Sequence, residues 1–382
     1  MNSFSFTIPQ NIVVGAGSLK RLPELAKNLK KSKAYIISGP HLEKIGMVDK
    51  CREALKAAGI ESDAFTQTEG NPSTDTVAKA AEGFKSSNAD FIVAFGGGSP
   101  LDVAKAVAVI ASYGGNITDY EGGGKVPGPV VPMIAIPTTA GTGSEVTAFS
   151  VITDHSRNYK LTVVSNYLLP AYAILDPELI TTVPKSTAAA CGIDAMVHAL
   201  EAFISKAASP FSDLFAKEAL RLIGTNIRDY VLDRSNLAAC EAMLTGSLFA
   251  GIAFSHARLG DVHAMSHPVS AYFDVAHGVA NAVLLPTIVD YNMTYASEKY
   301  KYIYDCICEK PLSDDAFTPE MLAAEIRVLN DELGIPSSLS EVGVDSSLFD
   351  KMADDAMKSG NILVNPRPTT KKDILALYAQ AF

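Results

Sequence analysis

Cysteine is sparse in this chain and is spaced for neither metal ribbons nor covalent staples. The five residues, at 51, 191, 240, 306 and 308, form no C-x-x-C pair and are odd in number. That excludes a zinc ribbon and a disulfide framework, and it suits a reducing cytoplasm. Basic clusters are equally lacking. Lys and Arg occur as short pairs such as Lys30-Lys31 and Lys371-Lys372, and the formal net charge is -10. Neutralising a phosphate backbone needs the opposite, so nucleic acid is not an expected partner. No run of 18 apolar residues occurs, and the opening MNSFSFTIPQ has no basic stretch leading into an apolar one, so neither a membrane partner nor an export signal is expected. Two standard glycine fingerprints are missing as well: there is no GxGxxG and no GK[ST] P-loop.

What is present is ordinary globular composition, 48% hydrophobic and 19% charged over 382 residues, enough for two domains with separate cores. The pattern changes near residue 183. Before it, short apolar runs at 34–38, 91–95, 133–136 and 173–175, with the more polar 60–65, read as strands, alternating with helical stripes at 42–59, 77–87 and 101–111. Residues 4–14 alternate around Pro9 as an edge hairpin, and 151–153 with 160–164 read as a second hairpin. After Pro184 helical periodicity runs through 187–206, 210–227, 236–256, 279–291, 300–308, 319–333, 348–359 and 371–381. The expected architecture is an α/β, Rossmann-like dinucleotide-binding domain over 1–183 and an all-helical, metal-binding domain over 184–382.

Chemistry in the first half begins where the buried strand 91–95 runs into Gly96, Gly97, Gly98 and Ser99 and then a helix. Glycines let the backbone approach an anion at a helix N-terminus, and Asp102 and Lys105 follow in the first turns, placed to reach what the loop holds. A second loop after the strand 133–136, PTTAGTGSE, offers Thr138, Thr139 and Thr142 for a phosphate or ribose. In the second half the stretch 256–281 holds four of the seven histidines. His263 and His267 stand four apart on a helix expected to end at Pro268, His277 follows, and Asp194 and His198 form another pair four apart. Any one of these alone is more often a polar residue on a helix surface. A buried Asp with three His among Ala, Met, Val and Phe needs partners those neighbours lack, and a divalent cation supplies them.

Six stretches, GGGSPLDVAK, IPTTAGTGSEVT, AILDPEL, GIDAMVHALEAF, VHAMSHPVSAYFDVAHGVANAVLLP and NPRPTTKKDI, resemble the motifs of the iron-dependent, group III alcohol dehydrogenases, on the dehydroquinate-synthase-like architecture. The resemblance spans nearly the whole chain and implies that Asp194, His198, His263 and His277 bind the metal, with His267 unligated beside them. It also implies that Gly96, Gly97, Gly98 and Ser99 hold a nicotinamide cofactor's pyrophosphate, with Asp102 close by. Thr138, Thr139 and Thr142 then lie along the nucleotide, and Lys160 near the nicotinamide ribose. The expected reaction is hydride transfer between a short primary alcohol or aldehyde and NAD(P), with His267 carrying the proton. Fe2+ is the expected metal, although the donor set accepts Zn2+ or Mn2+ alike. Gly39 stands where NAD-preferring members commonly carry Asp, so NADP is expected to serve at least as well as NAD. Pairing through the N-terminal segment implies at least a homodimer. Against the family's FSNAxLGxVH, this chain has His256, Arg258 and Asp261, the last two spaced to pair, and Phe149 replaces an Asn. With Phe254 and Met265 it suggests an apolar cavity, so specificity for diols or lactaldehyde is not carried over. The rival expectations are a lyase or cyclase of dehydroquinate synthase type and a nucleotide-binding protein without activity.

Overall fold

The computed structural model describes residues 6, 11–310 and 312–382. The chain forms two compact units: Ile8–Thr139 with Gly143–Thr182, and Val183–Phe382 with Met1–Thr7 and Ala140–Thr142. Each is built on its own core.

The first unit is a six-stranded, wholly parallel sheet. Its strands are β1 (Asn11–Val14), β2 (Lys33–Ile37), β3 (Glu61–Phe65), β4 (Phe91–Gly96), β6 (Met133–Pro137) and β9 (Tyr172–Leu175), in the order β1-β9-β6-β4-β2-β3. A smaller sheet joins β5 (Gly122–Gly123), β7 (Phe149–Asp154) and β8 (Tyr159–Val164), the last two as the expected antiparallel hairpin. Successive side chains on a strand face opposite ways, and both faces of the main sheet are apolar. Ile36, Val93, Phe95 and Ile134 pack with helices α1 (Leu22–Asn28) and α3 (Met47–Ala57). Tyr35, Ile37, Ile92 and Ala135 pack with α4 (Thr74–Ser87) and α5 (Gly98–Tyr113). This is a doubly wound α/β unit. The chain adds β3 on one side of β2 and β4 on the other, which puts a topological switch between β2 and β4.

Local expectations change at two points. The stripe at 42–59 is broken into α2 (Pro40–Lys44) and α3 because Gly46 turns left-handed at φ 74°. Residues 11–14 pair in parallel with β9, and the other arm of the expected hairpin, apart from Phe6, lies outside the described residues. Lys105 on α5 is fully buried.

Among its described residues the second unit has no strand, and its α-helices are α6 (Lys185–Ile204), α7 (Pro210–Leu232), α8 (Leu237–Ala257), α9 (Asp261–Phe273), α10 (His277–Ile307), α11 (Glu320–Leu333), α12 (Phe349–Lys358) and α13 (Lys371–Ala381). Helices α6, α7 and α8 pack on one another, and α10 lies against α6, α9 and α11. By length and composition α6 and α8 could cross a bilayer, yet most of each is buried within the fold, which is how an apolar-all-round helix behaves at the centre of a globular core. Helix α9 does not stop at Pro268 but runs five residues past it, and the segments expected at 279–291 and 300–308 are one 31-residue helix.

Candidate metal centre and nucleotide loop

Three helices of the second unit build one polar cluster. Helix α6 carries Asp194 and His198 four apart, α9 carries His263 in its first turn, and α10 begins at His277. One donor atom from each of the four lies within 4.8 Å of the others. From Asp194 Oδ1 the Nε2 atoms of His198, His263 and His277 are 4.0, 3.9 and 3.7 Å away. A tetrahedron with bonds of about 2.1 Å has edges of roughly 3.4 Å, so the cluster is within about half an ångström of that size on these edges. All but His277 are buried, with Asp194 2% and His263 1% exposed.

The outward-facing nitrogens of His198 and His263 are committed elsewhere. His198 Nδ1 faces the Gly141 carbonyl at 3.2 Å. His263 Nδ1 meets Glu201 Oε2 at 2.6 Å, while Glu201 Oε1 accepts the Val262 amide at 2.7 Å. An Nδ1–H donated to a carbonyl or carboxylate leaves the Nε2 lone pair facing inward, which is the tautomer a cation needs. Burial pushes the Glu201 carboxyl up to about 7, against the pull of the Gly260 and Val262 amides. Asn281 completes the shell. Its Nδ2 is 2.6 Å from Asp194 Oδ1 and 3.1 and 3.2 Å from the Nε2 atoms of His263 and His277, and its buried Oδ1 has no partner. An amide offers two hydrogens to those three acceptors, so the cluster has lone pairs to spare and its chemistry fits a divalent cation.

Glu201 and Asn281 escaped the sequence reading. Their signal was spacing: Glu201 is three residues after His198 and Asn281 four after His277, each on its ligand's helical face.

His267 sits beside the cluster, with its ring 6.2 Å from that of His263 and 5.4 Å from that of His277. Phe254 stacks on His198 at 4.5 Å. Met265 is fully buried inside the helical core and presents no surface to a cavity. The expected pairing of Arg258 with Asp261 does not occur: Asp261 accepts Thr369 Oγ1 at 2.6 Å, and Arg258 turns left-handed at φ 62° with its guanidinium over Gly360. His256 stacks on Phe6 at 4.2 Å and is not one of the four clustered donors.

In the first unit the remaining predicted residues gather at the carboxyl end of the parallel sheet. Gly39 follows β2 and caps α2, Gly96 ends β4, and the Thr138 amide donates to the Gly96 carbonyl at 2.9 Å beyond β6. Gly96 has φ 154°, and a side chain there would run into the Pro100 ring at 2.6 Å. Gly97 caps α5 without any side-chain acceptor, so the first amides of that helix, at Gly98 and Ser99, face no intrahelical partner. Thr139 packs against Gly97, and Lys160 Nζ donates to Asn71 Oδ1 at 2.8 Å. Thr142 belongs to the helical unit.

Asp102 and Lys105 turn inward, contrary to the expectation that they reach for the loop's ligand. Asp102 accepts from Ser144 Oγ and the Val151 amide, and Lys105 Nζ donates to Ser144, Thr147 and the Phe149 carbonyl at 2.8 to 3.1 Å. Burial lowers the Lys105 ammonium to about 8 and raises the neighbouring Glu145 carboxyl to about 7. These bonds tie the threonine-rich loop to α5.

Comparison with known proteins agrees along the full length. Residues 9–177 match the family model for iron-containing alcohol dehydrogenase, and residues 188–382 match that family's C-terminal model. The chain is similar to the 1,3-propanediol dehydrogenase of Citrobacter freundii, 39% identical with 99% of both chains covered. It is 34% identical to the NAD-dependent methanol dehydrogenase of Bacillus methanolicus, again over 99% of each. The crystal structure of a 1,3-propanediol oxidoreductase superposes with a TM-score of 0.95 at 38% identity and covers the whole of both chains. These relatives carry dehydrogenase and oxidoreductase names, which supports redox chemistry over the lyase or cyclase reading. Matched at both units by family models and over its whole length by such relatives, the chain belongs to the iron-containing alcohol dehydrogenase family and is a metal-dependent oxidoreductase acting on alcohols.

Proposed function

We propose that Asp194, His198, His263 and His277 hold one ferrous ion, and that the enzyme moves a hydride between a short primary alcohol and the C4 of a nicotinamide cofactor. The observation that carries this reading is the convergence of four donor atoms within 4.8 Å, with the outer nitrogens of His198 and His263 already committed to Gly141 and Glu201. When bound, the metal supplies Lewis-acid polarisation of an oxygen ligand. The chain's own groups do the rest. Gly96, Gly97, Gly98 and Ser99 would hold the pyrophosphate on backbone amides, with Thr138, Thr139, Thr142 and Lys160 along the nucleotide and Asp102 bracing the loop from behind. His267, half-buried beside His277, takes the hydroxyl proton as the alcohol is oxidised and passes it to solvent.

A small substrate is favoured because one similar protein is named for methanol. Gly39 offers no carboxylate to repel a 2′-phosphate, and His41 and Lys44 follow it on α2, so NADP(H) is proposed to serve at least as well as NAD(H). A homodimer in a reducing cytoplasm completes the reading, consistent with five free cysteines. The test is metal analysis of the purified protein together with nicotinamide absorbance at ~340 nm over C2 to C6 alcohols, diols and aldehydes, using both cofactors. Metal-free protein with undiminished turnover would refute it.

A further inference from the structure

The C-terminal run Asn365-Pro366-Arg367-Pro368-Thr369 plays no part in the reading above, yet it is bonded to both helices that bring His263 and His277 to the cluster. Asn365, 1% exposed, accepts on Oδ1 from the Asp261 amide at 3.3 Å, at the first residue of α9. The same side chain makes a reciprocal amide pair with Asn292 of α10, at 3.1 and 2.8 Å. Thr369 Oγ1 donates to Asp261 Oδ2 at 2.6 Å, and Asp261 Oδ1 has no partner. Arg367 locks the run onto α10, donating to the Tyr291 carbonyl at 3.0 Å with its guanidinium 3.9 Å from the Tyr291 ring centre.

From the other side, Glu201 takes the Val262 amide and the His263 ring. Gly260 lies between the two holds: a side chain there would come within 2.9 Å of Asn365 Oδ1 and 3.0 Å of Glu201 Oε1. The first turn of α9 is therefore gripped by α6 on one side and by the C-terminal run on the other. These bonds are buried and directional, so losing one leaves an unpaired polar group and frees the turn to shift.

We propose that Asn365 and Thr369 are positioning residues for the metal centre: they fix the first turn of α9 through Asp261, fix α10 through Asn292, and so set the separation of His263 and His277. The inference rests on the proposal that those histidines, with Asp194 and His198, hold the metal. Binding sites tolerate ligand displacements of only about 0.5 Å, and because groups bonded directly to a metal ligand commonly change its affinity by about 10- to 100-fold, residues acting one bond further out belong at the lower end of that range.

The test uses the full-length protein loaded with Co(II), reading the dissociation constant by chelator competition and the visible ligand-field bands. Thr369→Val, nearly isosteric, is expected to weaken Co(II) binding by about tenfold or more and to alter the bands, with Thr369→Ser restoring both. Asn292→Ala is expected to act in the same direction through the α10 arm. A purely structural role would lower Tm and leave the constant and the bands of the folded protein untouched. Folded Thr369→Val with wild-type affinity and bands overturns the proposal, and Asn292→Ala decides the matter should Thr369→Val fail to fold. Wild-type and His263→Ala proteins that bind Co(II) equally would instead remove the four-residue metal site itself.

Discussion

At the scale of single residues, His263 joins the cluster to its support, since one nitrogen faces Asp194 and the other faces Glu201. His263→Ala is expected to abolish metal binding and turnover together while the circular dichroism spectrum stays native, because the helices pack through apolar stripes that the substitution does not touch. Full activity in that variant without metal would sink the assignment. Gly39 bears on the cofactor. Gly39→Asp is expected to move the ratio of kcat/KM toward NAD by about 1 to 3 kcal/mol, the scale of one charged hydrogen bond with like-charge repulsion. The new Cβ would lie 3.2 Å from the Thr68 carbonyl, so that carbonyl must give by a few tenths of an ångström. A wild-type enzyme strictly specific for NAD would show that Gly39 does not set the choice.

At the scale of elements, the departures from local expectation fall where tertiary contacts compensate a local cost. Proline lacks the amide that would bond the carbonyl four residues back, here that of Ala264, yet α9 passes through Pro268, and one residue further on the buried Tyr378 hydroxyl holds the helix by donating to the Met265 carbonyl at 2.7 Å. The junction of α5 with the threonine-rich loop gives a pH prediction. Burial holds the Glu145 carboxyl at about 7 in the folded state against 4.5 ordinarily. Between those values the folded protein binds more protons than the unfolded chain. The contribution is therefore fully present below 4.5 and is lost as pH rises through about 7, at up to about 1.4 kcal/mol per pH unit for one proton. Thermal melts of metal-free protein across that window should show the decline, and Glu145→Gln should make it shallower by one proton's share, the remainder belonging to Glu201 and Asp261, which burial also raises to about 7. An unchanged slope in the variant would mean that another group titrates.

At the scale of the whole molecule, β1 is the end strand of the main sheet, and among the described residues no strand pairs with its outer edge. An open edge is a template for another chain. Light scattering at micromolar concentration is expected to return at least twice the 40.4 kDa mass of one chain, and a monomeric mass would refute the proposed homodimer. The units also differ in how they interrupt the chain. Residues 140–142 leave the α/β unit and join the helical one, where the Gly141 carbonyl meets His198.

The fold class was legible in the sequence because it rests on periodicity: apolar runs bounded by glycine for buried parallel strands, and stripes of 3.6 residues for the helices. The polar cluster was legible in outline, since Asp194 and His198 lie one helical turn apart and the other histidines share one stretch, while the choice of His277 over His267 came from the family resemblance. Lys105 was misread as facing a ligand because a charged residue in a helix's first turns gives no sign of which way it turns; the packing of β7 and the threonine-rich loop over α5 decided that. Glu201, Asn281, Asn365 and Thr369 stayed hidden for a related reason. Their partners lie 18 to 108 residues away in sequence for Asn281–His263 and Thr369–Asp261 respectively, and only the packing of α6, α9 and α10 brings them within hydrogen-bonding reach. Local pattern specifies elements and their buried faces, whereas the polar bonds that orient the metal-site histidines are made between elements, after those faces have met.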